Sequence, residues 1–314
     1  MERSTDSFQW RTFCGIPLSK GVPAYSTINK LVNRFGAEAV EAKKRELRLQ
    51  TALLPCTCRQ KTAEIAKVTK RLRGEKTHMK VQQIKSDLAR FADPEKAAHH
   101  MDYFKACPGG YGEGDRFIGV SVLHQRKIAR KYFKEINLEE MEELLRDPVH
   151  EYRLTALFIL VLKFEKAGDE SARQKLVQLY LRNLKWVNNW DLVDSSASHI
   201  LGAYLYNKDK DILYELAASG DLWQQRVAIV ATHYFIKKNQ YIDTLKLAKI
   251  LLNCEHDLIH KATGWMLREV GNRDLQAELA FLKENYRKMP RTMLRYAVEK
   301  FSPDLREKFL KGLI

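Results

Sequence analysis

A chain of 314 residues with 45% hydrophobic content is long enough to form one large domain with an appendage, or two domains. Its longest apolar stretch, over 154–162, falls short of the roughly 20 residues of a membrane-spanning helix, so we expect no membrane span. The formal charge of +15 indicates a polyanionic partner. The N-terminus lacks the apolar run of a signal peptide, and we therefore expect a cytoplasmic protein.

The sequence gives no sign of a disulfide framework or a metal centre. Its five cysteines are odd in number and scattered, and the close pair Cys56 and Cys58 lacks a second pair of ligands. The nine histidines show no metal-ligand spacing. The glycine-rich run over 109–114 is not followed by the Lys-Ser or Lys-Thr of a P-loop. We expect neither a metal nor another cofactor.

Residues 1–78 form a basic N-terminal extension, with 16 Lys and Arg against 7 acidic residues, compared with 38 against 32 in the remainder. Residues 1–36 lack periodicity and are predicted to be loop, whereas 37–50 and 61–73 are predicted helices. Two interpretations of the extension stay open. It is an added arm that holds DNA, or it is a leader that precedes a natural start at Met79.

From Met79 to the end, apolar residues recur at helical spacing without a competing strand pattern. Helices are predicted over 81–91, 94–106, 122–133, 138–145, 149–164, 172–184, 190–206, 212–218, 223–236, 241–252, 258–270 and 275–286, followed by two short closing helices. Helices of this length joined by short turns are typical of stacked helical pairs. The predicted fold is all-α, a HEAT-like superhelix or α-solenoid over 79–314, preceded by the basic, partly irregular extension.

An internal repeat supports the predicted stacking. Three segments share the order acid, cation, alanine and apolar helix, and their cations are Arg153, Arg226 and Lys261. The last two cations are 35 residues apart, and the first is close to two such steps before Arg226, which fits HEAT-like pairs. If the second helix of each pair lines the concave surface, all three cations project into one groove. Such a groove suits the backbone of a duplex.

The run NNWDLVD over 188–194 places Trp190 and Asp194 one turn apart on the same helix face. Taken alone, such a Trp usually packs in the core and such an Asp is usually solvated or caps a helix. Arg226 and Trp265, at equivalent points of later helices, favour a functional interpretation. Even so, Trp265 alone is equally compatible with core packing, and Arg226 with an ion pair to a neighbouring helix.

Six runs carry a resemblance to a known family: PGGYGEGDRFIG at 108–119, HEYR at 150–153, NWDLVD at 189–194, WQQR at 223–226, KATGWMLRE at 261–269 and RYAVEK at 295–300. In this order and spacing, the region from Met79 to the end resembles the AlkD-type DNA alkylation repair glycosylases, which are built from HEAT-like repeats. The WDLVD and KATGWMLRE runs are the distinctive ones. The resemblance covers about three quarters of the chain.

The resemblance implies a monomeric DNA glycosylase of base excision repair that removes purines alkylated at N3 or N7 from double-stranded DNA. It implies that Asp194 stabilises an oxocarbenium-like sugar and orients the attacking water, as carboxylates do in glycoside hydrolases. Trp190 and Trp265 would offer indole faces to the cationic lesion. The damaged base is not expected to enter a pocket, unlike in most glycosylases. The expected DNA contacts are Tyr111, Arg153, Arg226, Lys261 and Arg268.

Two departures and two other functions stay open. Asn189 stands where many relatives have a second Trp, which reduces the expected stacking surface, and the basic extension is not part of the usual domain. The alternative function is a non-catalytic HEAT-like repeat protein that binds damaged or branched DNA. A helical scaffold for proteins is the third possibility, and it predicts no salt-sensitive affinity for DNA.

Overall fold

The computed structural model describes residues 79–314. The basic extension over 1–78, with its predicted helices and the predicted boundary at its end, lies outside the described residues. Regular structure in 79–314 is helical, without a strand, apart from one isolated β-bridge between Arg116 and Val149. The all-α prediction is confirmed for this part of the chain. None of its helices is both long and apolar enough to cross a membrane.

Sixteen α-helices follow one another in the described residues. The first eight are α1 at 79–89, α2 at Pro94–Tyr103, α3 at Val122–Tyr132, α4 at Leu138–Leu145, α5 at His150–Lys166, α6 at Glu170–Arg182, α7 at Trp190–Asp194 and α8 at Ala203–Leu205. The others are α9 at Asp211–Ala218, α10 at Leu222–Ala231, α11 at His233–Ile236, α12 at Ile242–Ile250, α13 at Asp257–Gly271, α14 at Leu275–Asn285, α15 at Arg291–Ala297 and α16 at Pro303–Lys311. Short 3-10 turns occupy Leu184–Trp186, Leu251–Asn253 and Val298–Lys300, and a π-helical turn occupies Ser198–Gly202.

Several of the helices begin at a capping side chain. Asp169, Asp221 and Asp274 each accept a hydrogen bond from a backbone amide in the first turn of the helix that follows. At the start of α4, Asn137 and Glu140 form a reciprocal capping box. These contacts satisfy amide groups that the helix itself leaves without partners.

The helices from α4 to α15 alternate between two layers. The first layer contains α4, α6, α9, α12 and α14. The second layer contains α5, then α7 with the π-helical turn and α8, then α10 with α11, then α13 and α15. Within it, α5 packs on α7, α7 on α10, α10 on α13 and α13 on α15. Completely buried side chains such as Leu157, Ile229 and Met266 form the core. This arrangement confirms the predicted helical-repeat solenoid.

Two predicted helices of the second layer are interrupted. The helix predicted over 190–206 ends after five residues at Asp194 and resumes through the π-helical turn. In the break, the Ser196 hydroxyl donates to the backbone oxygen of Leu192 at 2.6 Å. The helix predicted over 223–236 breaks at Thr232, whose hydroxyl donates to the oxygen of Ile229 at 2.6 Å. Both hydroxyls compete for helix acceptors, which periodicity of apolar residues does not reveal.

Candidate functional site

The second layer carries charged residues in a common register. Counted from its first residue, the fifth position is Asp194 in α7, Arg226 in α10, Lys261 in α13 and Arg295 in α15. We call these four residues the charged row. Since these helices pack side by side in that order, the row crosses the layer from α7 to α15.

Asp194 and Arg226 form a two-pronged ion pair. Nε of Arg226 donates to Oδ1 of Asp194 at 2.9 Å, and Nη2 donates to Oδ2 at 2.8 Å. Nη1 donates to the backbone oxygen of Leu258 at 2.7 Å. Arg226 is 5% exposed, whereas 22% of the Asp194 side chain reaches the surface. Arg226 therefore lies behind Asp194 and ties α7 to the start of α13.

The electrostatics of Asp194 reflect two opposing effects. Burial raises the pKa of Asp194, and the nearby charge of Asp191 adds to the rise. The charge and hydrogen bonds of Arg226 oppose the rise, because they stabilise the ionised carboxylate. Arg226 thus stabilises the ionised carboxylate of Asp194 at a buried position that would otherwise favour the protonated acid.

The other two members of the charged row face solvent. Lys261 pairs with Asp257 one turn earlier at 2.7 Å, and its side chain is 40% exposed. Arg295 is exposed on α15. Exposed ion pairs of this kind contribute little to stability, so the Lys261 ammonium can exchange its partner for another anion.

Aromatic side chains surround the start of α7. The half-buried indole of Trp190 stacks on Phe104 with ring centroids 5.4 Å apart and meets Tyr103 at 5.8 Å. Tyr111 meets Trp223 edge-on at 5.9 Å. Burial raises the pKa of Tyr111, against hydrogen bonding with Trp190 and the charge of Lys261. Tyr111 therefore lies close to both Trp190 and Lys261.

The loop over 104–121 is held against the start of α5 by its backbone. The amides of Ile118 and Gly119 donate to the carboxylate of Glu151. Gly119 has a φ of +76°, and a Cβ there would lie 2.0 Å from the backbone oxygen of Asp93. Gly110, Gly112 and Gly119 therefore serve close packing, because a Cβ at each would meet a backbone oxygen within 2.4 Å.

Asn189 is part of the support for Trp190. It is completely buried, and its Oδ1 accepts a hydrogen bond from the backbone amide of Trp190 at 2.9 Å. The side chain therefore fixes the start of α7 from inside the protein.

Trp265 lies one turn after Lys261 on α13. Its ring is 5.5 Å from that of His233, and its indole N–H donates to Oε1 of Glu269 at 3.1 Å. The structure thus places Trp265 against α11, while Trp190 lies at the start of α7. The convergence of the two indoles over one sugar stays a prediction.

Two of the expected groove cations have other partners. Arg153 is 2% exposed, its Nη2 is 2.7 Å from Oδ1 of Asp115, and its Nη1 donates to the backbone oxygen of Asp147. The expectation that it projects into the groove with Lys261 is wrong. Arg153 is the fourth residue of α5, about 100° around the helix from the fifth position.

The same expectation is wrong for Arg226, whose guanidinium points inward to Asp194. Arg268, the other arginine expected to contact DNA, is ion-paired with Glu299 and, at 3.7 Å, with Glu269. Its side chain is 19% exposed. Of the expected cations, Lys261 therefore has the freest head group.

Sequence reasoning did not find a second charged group behind Trp190. His150 lies between Asp115 and Asp191, which are 35 and 41 residues away in sequence. No local pattern signals contacts over such separations. Arg295 begins the RYAVEK run at 295–300, but only its position on α15 identifies it as the exposed end of the charged row.

Comparisons with known proteins indicate the family and the fold. A family model described as DNA alkylation repair enzyme matches residues 84–301. A solved structure described as a predicted DNA alkylation repair enzyme from Enterococcus faecalis is 18% identical, with a TM-score of 0.52 over 68% of this chain and 97% of that chain. No curated protein matches the sequence. The structural likeness supports the fold, and the family match covers more than half of the chain.

Proposed function

Because the chain belongs to the DNA alkylation repair enzyme family, we propose that it is a DNA glycosylase. The proposed reaction is hydrolysis of the N-glycosidic bond of cationic purines alkylated at N3 or N7, such as 3-methyladenine and 7-methylguanine, in duplex DNA. The observation that carries the proposal is the Asp194 carboxylate, oriented by Arg226 beside the half-buried Trp190.

The chemistry of these lesions suits a carboxylate. Alkylation at N3 or N7 gives the purine a positive charge, so the base leaves readily and positive charge moves to the sugar. A fixed anion stabilises that developing charge, and it also accepts a proton of the attacking water. The enzyme then needs no strong acid to protonate the leaving base.

Asp194 retains the capacity for this role while bound to Arg226. An ionised carboxylate offers about four lone-pair positions, of which Arg226 occupies two. The remaining positions can accept hydrogen bonds from water at the exposed edge of the side chain. Partial burial also strengthens its interaction with a cation, because the local dielectric is lower than that of water.

Aromatic rings complete the proposed site. Trp190 rests on Phe104 and Tyr103, which fix its plane. An indole face attracts a cation and packs on a sugar, with about 0.5 to 2 kcal/mol per ring depending on desolvation. We assign this role to Trp190 and, on α13, to Trp265.

The exposed end of the charged row is proposed to hold the DNA backbone. Lys261 and Arg295 have accessible head groups, and Tyr111 lies beside Lys261. Contacts to phosphates position a duplex and do not read its sequence. The proposed partner is therefore double-stranded DNA containing an alkylated purine.

The test is the release of free base from methylated duplex DNA, measured by chromatography for the wild type and for Asp194→Asn. The wild type is expected to release 3-methyladenine and 7-methylguanine. In the variant, release should fall by roughly 100-fold or more, because the amide lacks the anionic charge. Binding to intact duplex should change little, since Arg226 and the charged surface remain.

A second candidate is a non-catalytic protein that binds damaged or branched DNA. The observation that favours it is the ion pair itself, because both oxygens of Asp194 are bonded to an internal partner. Duplex binding without release of either base by the wild type would select this candidate and overturn the glycosylase.

A further inference from the structure

A buried imidazole at the start of α5 lies between two carboxylates. Nδ1 of His150 is 3.1 Å from Oδ2 of Asp115, and Nε2 is 2.8 Å from Oδ2 of Asp191. His150 is 2% exposed. Asp115 belongs to the loop over 104–121 and Asp191 to α7. His150 therefore joins three segments that meet behind Trp190.

The geometry requires a proton on each ring nitrogen. An ionised carboxylate only accepts hydrogen bonds, whereas a neutral imidazole donates from one nitrogen alone. Burial opposes the charge and by itself would lower the pKa of His150. The charge of Asp191 and the hydrogen bonds to Asp115 and Asp191 outweigh burial and the opposing charge of Arg153, and they raise the pKa of His150 to about 9. At neutral pH the ring is an imidazolium.

The charges around the ring balance. Arg153 binds the other oxygen of Asp115 at 2.7 Å, so the cluster contains two carboxylates and two cations. Burial raises the pKa of Asp115, but His150 and Arg153 together hold it below its usual value. The uncharged rings of Phe104 and Phe117 pack against the imidazole, each with its centroid 4.9 Å away, and they stack on each other at 5.3 Å.

His150 is connected to Trp190 through two neighbouring residues, Asp191 and Phe104. Asp191 directly follows Trp190, and its Oδ1 accepts a hydrogen bond from the backbone amide of Leu192 at 2.8 Å. Phe104 stacks on the His150 ring and also on the Trp190 indole. A change at His150 therefore alters both the backbone at the start of α7 and the surface on which the indole rests.

Resting on the glycosylase function proposed above, we propose that His150 is a positioning residue. As an imidazolium that bridges Asp115 and Asp191, it holds Trp190 and the first turn of α7 in the orientation that the reaction needs. His150 does not touch the substrate in this proposal, and it acts through Asp191 and Phe104.

The proposal fixes the direction of the pH dependence. The pKa of His150 in the folded protein lies above the value of about 6.5 in an unfolded chain. The stabilisation is therefore complete below pH 6.5, and it is lost as the pH rises through about 9. We expect base release to show an alkaline limb near that pH.

The test compares His150→Gln with a matched control, His124→Gln, in the full chain. His124 lies on α3, hydrogen-bonded to Ser121 and stacked on Phe91. Glutamine at 150 donates from one nitrogen only and carries no charge. We expect single-turnover release at pH 7.5 to fall by roughly 100-fold, the effect of a misplaced group near the reaction. Affinity for intact duplex should be unchanged, and the control should match the wild type.

Nuclear magnetic resonance separates this proposal from the proposed function. In the wild type, both ring nitrogens of His150 should be protonated at pH 7.5 and titrate near pH 9. The indole N–H signal of Trp190, assigned with Trp190→Phe, should shift with the same midpoint. A wild type that releases no base overturns the glycosylase but leaves this coupling testable.

Three results would overturn the proposal: base release by a folded His150→Gln equal to that of an active wild type, titration of His150 below pH 7, and a Trp190 signal that does not respond to the titration. Should His150→Gln fail to fold, the titration of the wild type alone decides.

Discussion

Asp194 and Arg226 are bound to each other in the protein without DNA. The guanidinium uses Nε and Nη2 for the carboxylate and Nη1 for the backbone of Leu258. A side chain with its three nitrogens directed inward is suited to orienting a neighbour. We therefore assign Arg226 to holding Asp194 ionised and correctly placed, and we assign phosphate contact to Lys261 and Arg295.

Replacing Arg226 by glutamine tests this assignment. Loss of the guanidinium leaves burial of Asp194 unopposed, so the pKa of its carboxyl rises further. The acid limb of base release should then move to higher pH, and release near pH 6 should fall by roughly 10-fold or more. The measurement is the single-turnover rate as a function of pH, with circular dichroism to verify folding.

Lys261→Gln is the matched control for that prediction. It removes a cation from the same position of the neighbouring helix, so it should weaken duplex binding and reduce its salt dependence. The acid limb should stay where it is. If Arg226→Gln behaved like Lys261→Gln, Arg226 would be a phosphate contact as first expected.

The sequence predicted some residue positions and not others for physical reasons. Trp190 and Asp194 were expected on one helix, because a spacing of four is set by helix geometry alone. The internal pairing of Arg153 with Asp115 depends on a contact across the loop over 104–121. A shift of one residue along a helix turns a side chain by about 100°, so the approximate repeat alignment could not place Arg153.

At the scale of elements, the packing of α13 against α15 depends on Gly264. A Cβ on Gly264 would lie 2.4 Å from the backbone oxygen of Met293 and 2.6 Å from the Cβ of Tyr296. The absent side chain lets α13 and α15 approach closely. Because α13 carries Lys261 and Trp265, this contact also sets where those residues stand.

We expect Gly264→Ala to force α13 and α15 apart. Overpacking of this kind costs typically about 1 to 3 kcal/mol of the free energy of unfolding. Urea denaturation measures the loss. Gly168→Ala is the control, since a Cβ there meets nothing within 4 Å. Equal free energies of unfolding for the two variants would show that α15 can move away from α13 without loss of stability.

The break in the helix predicted over 190–206 also belongs to this scale. The π-helical turn Ser198–Gly202 comes directly after the site, and a Cβ on Gly202 would lie 2.1 Å from the backbone oxygen of Ala231. The spacing of apolar residues over 190–206 is nearly the same for an interrupted helix as for an unbroken one, so it could not show the break. The hydroxyl of Ser196 and the close approach of α10 produce it.

At the largest scale, the predicted helical-repeat solenoid is observed in residues 79–314. The two layers of helices from α4 to α15 bury their apolar faces against each other, and apolar periodicity in the sequence reflects this burial. The common register of the charged row follows from that stacking. The sequence could not supply the loop over 104–121, whose position depends on single hydrogen bonds such as that of Gly119 to Glu151.

The central claim is that Asp194 stabilises positive charge on the sugar. Its most direct measurement is the affinity for two uncleavable duplexes, one with a cationic pyrrolidine at the abasic position and one with a neutral tetrahydrofuran. The wild type should bind the cationic duplex at least roughly 100-fold more tightly, as expected of a transition-state analogue, and Asp194→Asn should lose that preference. Equal affinity of the wild type for both duplexes, or a preference that survives in Asp194→Asn, would contradict the claim.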